Sequence, residues 1–285
     1  MIKGWLVPPN IWKFLKKIRA QALHKKSVSK IDSLKKNESG ACFILASGPS
    51  ILKQDLTLLE GMDVIAVSHF HVHPDIKKIK PKYHVLAPFH KPFDFSDAKK
   101  YFDDFKKSYD PKEVEIFLGY RPYKFSFQNF LKQTSEYNDY NFETIDYTNS
   151  SQLDEDNCNH DEVWDIFQKP FECRTVIYSA IQLAYNLGYK EIYLLGCDHD
   201  YIFTKGREKG NRFYNDDNGI DDSKHLDAFD MEKWFLEYYM RWKQYRLMRT
   251  FLKSKNVRIY NATHGGYLDV FKRKKYEEVI KKNNI

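Results

Sequence analysis

Ten histidines, twenty tyrosines and a few carboxylates at strand ends are the side chains of this 285-residue chain best suited to chemistry. The sharpest grouping is Leu195-Gly196-Cys197-Asp198-His199-Asp200, where an acid follows directly on an apolar run. Such an acid is expected to be exposed at the strand's carboxyl end, and two carboxylates one residue apart could hold Mg²⁺ or Mn²⁺. A second grouping is Ser47-Gly48-Pro49-Ser50, which follows the buried-strand run Ala41–Ala46. Here Gly48 lets backbone approach a ligand, Pro49 fixes one dihedral, and Ser50 can cap a helix starting near Ile51, a setting that suits an anion. With Ala46 at the first glycine position and no third glycine, the loop is no dinucleotide fingerprint. With no Gly-Lys-Ser/Thr it is no P-loop. An ordinary strand-to-helix turn explains the same residues equally well.

The histidines sort by position. His69, His71 and His73 alternate and could form a metal site on one strand face, but no acid is spaced to join them, so a loop leaving a strand is the simpler account. His84 lies within a strand and reads as structural. His264 stands beside Gly265-Gly266 at the end of the last strand, where it could line a site, and His225 stands at the entrance to a long helix. Tyr201 and Tyr214 follow Asp198 in a charged, glycine-containing segment; packing of that segment accounts for them as readily as chemistry does.

The elements that must position these residues alternate between strand and helix. Runs at Ala41–Ala46, Asp63–Ser68, Tyr83–Pro88, Glu113–Gly119, Glu191–Cys197 and Asn256–Ala262 are continuously apolar or nearly so, as strands buried on both faces should be. A helix precedes Gly188, whose position just past Leu187 suits a left-handed cap. A long helix carries Ala228, Met231, Phe235, Tyr238, Trp242, Tyr245 and Leu252 at helical spacing, and a short one closes the chain. This order predicts an α/β fold with a doubly wound, mostly parallel sheet. Residues 120–170 are polar, aromatic and irregular, and read as an inserted lid.

Net charge is +7, but residues 1–36 alone carry +9, with ten Lys/Arg against Asp32. The rest of the chain is close to neutral, which removes the main support for nucleic-acid binding. The division is therefore a basic amphipathic arm over 1–38 and a domain over 39–285. Tryptophans and lysines in the arm suit a membrane interface, and packing on the arm's own domain is the equal alternative. The scattered Cys42, Cys158, Cys173 and Cys197 form no CxxC pair and read as reduced cysteines. With no transmembrane run and no signal peptide visible, a cytoplasmic protein is expected, peripheral at the inner membrane face if the arm binds lipid.

The stretches Ser47–Leu52, Asp63–Ser68 and above all Thr175–Asp198 resemble the bacterial lipooligosaccharide sialyltransferases. They are still more similar to the family of 6-hydroxymethylpterin diphosphokinase-like proteins that includes motility accessory factor transferases, whose C-terminal pattern is matched by Arg258–Val279. The resemblance implies a single Rossmann-like (GT-A-type) glycosyltransferase domain. Such an enzyme transfers a nonulosonic acid from its CMP form with inversion, in bacterial surface-glycan synthesis, onto a glycan or lipid-linked acceptor. It needs no cofactor, although Asp198 and Asp200 leave Mg²⁺ open, and the oligomeric state is left open too. The implied nucleotide site comprises Ser47, Gly48, Pro49, Ser50, Ser68, Thr175 and Asp198. His225 matches the expected general base approximately, His264 is the second candidate, and Tyr201 and Tyr214 match donors to the leaving phosphate. Ser47 and Ser68 stand where the sialyltransferases usually carry asparagine, and Val176-Ile177 replace a Ser-Gly pair. The other branch of the resemblance implies an ATP- and Mg²⁺-dependent pterin diphosphokinase, and a nucleotide-binding scaffold without activity is the non-enzyme alternative.

Overall fold

Eight strands lie in the order β5-β4-β3-β2-β1-β6-β7-β8, and every neighbouring pair is parallel. They are β1 (Ala41–Leu45), β2 (Asp63–Val67), β3 (Tyr83–Leu86), β4 (Glu115–Tyr120), β5 (Asn141–Asp146), β6 (Glu191–Leu195), β7 (Arg258–Asn261) and β8 (Lys272–Arg273). The computed structural model describes Ile11 and residues 40–172, 174–200, 212–214 and 230–283. The basic arm other than Ile11, together with Cys173, Tyr201 and His225, lies outside the described residues.

Alternation along β1 explains the layers. Cys42 and Ile44 face one core, with α4 (Val176–Asn186) and the second half of α5 (Met231–Ser254). Phe43 and Leu45 face the other, with α2 (Phe95–Ser108), α3 (Phe127–Leu131) and α6 (Tyr276–Asn283). A short α1 (Ile76–Ile79) precedes β3. Helices on both faces leave no wet side to the central strands, which is why those strands read as unbroken apolar runs. Cys42, Cys158 and Cys197 are buried free thiols. Gly188 has φ of +93°, the left-handed cap expected after Leu187.

Three local expectations are corrected. The chain after Ala46 enters no α-helix: Pro49–Lys53 and Leu56–Leu59 are separate 3-10 turns, the second capped by the Asp55 side chain. Within 120–170 the chain is not wholly irregular. It forms the edge strand β5 and sends Leu153, Val163, Trp164 and Ile166 into the core. Trp164 stacks on Phe251 at 4.0 Å and donates to the Cys158 carbonyl. On α5, Met231 and Phe235 are exposed, at 45% and 60%, while Trp234, Gln244, Leu247, Met248 and Phe251 are buried. A helix of 24 residues spans about 36 Å, whereas the four residues of β7 beneath it span only about 13 Å. The first half of α5 therefore overshoots the sheet, and the apolar spacing there does not mark a core face. Among the described residues, no helix is long and apolar enough to cross a membrane.

Candidate functional site

The strand order reverses direction at the β1–β6 pair, since β2 to β5 extend one way from β1 and β6 to β8 the other. In open parallel sheets that reversal opens a crevice beyond the carboxyl ends, where ligands bind. Asp198 occupies this place. Contrary to the exposed acid expected, it is buried to 4% exposure. Its Oδ2 accepts the Ser50 backbone N–H at 2.9 Å, and its Oδ1 accepts the Ser50 hydroxyl. Ser50 is thus no helix cap; it ties the β1 loop to the β6 loop. Burial raises the Asp198 pKa, and the Asp200 charge adds to the rise against the two Ser50 bonds.

Two glycines make this approach possible. A Cβ on Gly48 would lie 2.6 Å from Asp198 Cγ and would overlap the Gly196 carbonyl oxygen. Gly266, at φ +74°, lies so close that a Cβ there would sit 2.8 Å from Asp198 Cα. The Gly48 N–H donates to the Gly196 carbonyl at 2.9 Å, Tyr267 N–H to the Asp198 carbonyl at 2.8 Å, and Cys197 N–H to Thr263 Oγ1 at 3.0 Å. Three strand-end loops are knit together, and exposed His264 rides on the third. The structure therefore brings Ser47, Gly48, Pro49, Ser50, Asp198 and His264 to one edge. Thr175 joins them as the N-cap of α4, its hydroxyl accepting the Ile177 N–H.

Ser68 ends β2 in the left-handed region, φ +52°, and its carbonyl accepts from His84 Nε2 at 2.7 Å. His84 Nδ1 meets the Tyr109 hydroxyl at 2.8 Å, confirming His84 as structural. His69 and His71 lie on the 3-10 turn Ser68–Val72, not on a strand face, and both are buried. Tyr214 is buried with its ring 5.2 Å from that of His69, and its hydroxyl accepts from Arg212. Phe213 N–H donates to the Ser47 carbonyl at 3.0 Å, so Arg212–Tyr214 lies across the first loop.

Burial fixes which histidines can act as bases near neutrality. It lowers His71 and His199 to about 3, with the Arg241 charge assisting at His199, and it holds His69 and His84 well below 6.5. These rings stay neutral in the fold while the unfolded chain protonates near 6.5, so their contribution to stability is full above that pH and is lost below it. Stability from urea unfolding should fall by roughly 1 kcal/mol per histidine between pH 7.5 and 6. A flat profile over that range would contradict the buried cluster.

Asp198 turns both oxygens to Ser50, whereas Asp200 Oδ1 is shielded from solvent with no hydrogen-bond partner among the described residues. Among the described residues, no group of three or more His, Cys, Asp or Glu side chains is placed to hold a metal ion. The sequence reading missed three arginines at this edge. Arg174 Nη1 donates to both oxygens of Glu237 at 2.7 Å. Arg212 holds Tyr214, and Arg241 lies over the Tyr238 ring at 5.5 Å. Only Arg174, next to the helix cap Thr175, carried a signal in its position.

No protein-family model matches the chain, and no curated protein does. Among solved structures, the sialyltransferase CstII from Campylobacter jejuni, in complex with the substrate analogue cytidine-5'-monophosphate, is similar at 17% identity and a TM-score of 0.44. That match covers 84% of this chain and 86% of the other. The monofunctional alpha-2,3-sialyltransferase Cst-I from Campylobacter jejuni is similar at 15% identity and 0.47, over 84% and 82%. CST-II in complex with trisaccharide acceptor and CMP is similar at 18% and 0.42, over 82% and 85%. Likeness at this level does not set the activity of this chain.

Proposed function

We propose that this chain is an inverting glycosyltransferase that uses a CMP-activated acidic sugar of the nonulosonic type in bacterial surface-glycan synthesis. The observation that carries this reading is the switch-point crevice. Two small-residue loops, the hydroxyls of Ser47, Ser50 and Ser68 and the capped start of α4 surround it, and these are the positions through which the sequence resembles CMP-sugar transferases.

An acceptor hydroxyl is a poor nucleophile at neutral pH. In the proposed reaction its proton passes to His225, with His264 as the alternative base, as its oxygen bonds to the anomeric carbon. The bond from that carbon to the CMP phosphate oxygen breaks, and CMP leaves with the electron pair. Tyr201 and Tyr214 would donate to the departing phosphate, and Arg212 beside Tyr214 adds a cation. The basic arm would hold the enzyme at the inner membrane face, near lipid-linked acceptors.

A thermal-shift screen of CMP, CDP, UDP, GDP and ATP, each with and without Mg²⁺, tests the donor class. Stabilisation by CMP without metal, raising Tm by several degrees at saturating nucleotide, is expected. Stabilisation only by ATP with Mg²⁺ would replace this reading with a diphosphokinase, and no response to any nucleotide would leave a scaffold.

A further inference from the structure

On α5, Arg241 stands where the β6 loop, the start of α4 and α5 meet. Its guanidinium Nε and Nη1 are shielded from solvent and have no hydrogen-bond partner among the described residues. A guanidinium carries five donors, and a buried cation without compensation is costly unless something anionic completes it. The natural partner one turn earlier is Glu237, but both of its oxygens accept from Arg174. Among the other acids of the crevice, Asp198 gives both of its oxygens to Ser50.

The position of Arg241 is held from two sides. Its guanidinium lies over the Tyr238 ring, and the Tyr238 hydroxyl donates to the His199 carbonyl at 3.2 Å. The Tyr178 hydroxyl, from the first turn of α4, donates to the Arg241 carbonyl at 3.0 Å. Gln244, three residues on and so on the same side of the helix, is fully buried, and neither amide atom has a hydrogen-bond partner among the described residues. A cation with open donors, on the same side of the helix as an unpartnered amide, suits an oxyanion held in a planar, two-oxygen contact.

We infer that Arg241 is the specificity-determining residue that takes the carboxylate of the acidic sugar. This rests on the donor class proposed above. A carboxylate is favoured over the donor phosphate because Arg212, held across the first loop by Phe213 N–H on the Ser47 carbonyl, already offers the phosphate a cation. Ser47 and Ser68 lie at the ends of β1 and β2, beneath α4, whereas Arg241 stands on α5 with the β6 loop and the first turn of α4 against it. A donor whose nucleotide lies at Ser47 and Ser68 with its phosphate at Arg212 would leave Arg241 for the sugar.

Calorimetric titration of the full chain with CMP, with a CMP-linked acidic sugar and with that sugar's neutral carboxamide analogue tests this. Wild type should prefer the carboxylate donor over the carboxamide by tenfold or more. Arg241→Met should bind CMP within about twofold of wild type and bind both sugars alike, a loss of about 30-fold for the acidic one. Arg241→Lys, which keeps the charge without the planar fork, should fall between and serves if the methionine variant does not fold. Equal weakening of CMP itself would move Arg241 to the phosphate and overturn the assignment. Unchanged binding of both sugars would reduce Arg241 to a ring contact on Tyr238. If wild type binds no CMP ligand, the donor reading fails, and free acidic sugar becomes the probe. Arg241-dependent binding of that sugar would still uphold the carboxylate site, and its absence would overturn it.

Discussion

Replacing His225 with alanine should lower turnover by about 10²-fold or more while donor affinity stays close to wild type, the pattern of a lost base and not of a lost binding contact. The reasoning is by basicity and position. Histidine is the side chain whose ordinary pKa of about 6.5 lies near a working pH. The fold removes several from contention: His69, His71, His84 and His199 are buried and held neutral well below that value. His225 lies in the segment where the resemblance implies a base, and His264 is exposed on the β7 loop that closes on Asp198. The pH–rate profile of the His225 variant should lose its acidic limb. Near-normal turnover would shift the role to His264, and normal turnover in both variants would remove histidine from the chemistry.

Gly48→Ala should destabilise the fold by about 3 kcal/mol, the upper part of the range for forcing extra volume into packed structure, because the obstacle is backbone and cannot swing aside. The added methyl would meet the Gly196 carbonyl oxygen and the Asp198 carboxylate, so relief requires the β1 and β6 loops to part. Parting them breaks the Ser50–Asp198 ties, and nucleotide affinity should fall with stability. Gly265→Ala separates packing from backbone strain: its φ of +76° disfavours a side chain, but nothing lies within 4 Å of the new methyl. It should cost only about 1 kcal/mol. Chemical denaturation of the two variants beside wild type gives the comparison, and equal losses would contradict the close approach at Gly48.

The sheet was legible because its central strands are buried on both faces, so Ala41–Leu45 and Glu191–Leu195 advertise themselves as unbroken apolar runs. The edge strand Asn141–Asp146 was not, since only Ile145 in it is buried and no apolar pattern survives. Pro49 and Ser50 carry helix-start signals, yet a single 3-10 turn satisfies them locally, and Asp55 then starts another. Asp198 stands just past β6, as its place after an apolar run indicates, but its burial was not foreseeable. The partner that neutralises the cost of burying it, Ser50, lies 148 residues away and declares itself only once β1 and β6 pair. The α5 stripe misled for a geometric reason: helical periodicity says which residues share a face, not how far the sheet beneath extends. Arg241 was hidden among many basic residues until its missing partners became visible.

Metal-free turnover of a CMP-linked acidic sugar decides whether this crevice transfers that sugar. Purified full-length protein is incubated in EDTA with a CMP-linked nonulosonic acid and a panel of glycan acceptors, and CMP release and glycosylated product are followed together. Acceptor-dependent CMP release with inversion at the anomeric carbon is expected, abolished or cut by about 10²-fold in the His225 variant. Absence of CMP release with every acceptor, alongside ATP- and Mg²⁺-dependent pyrophosphate transfer to a pterin alcohol, would contradict it.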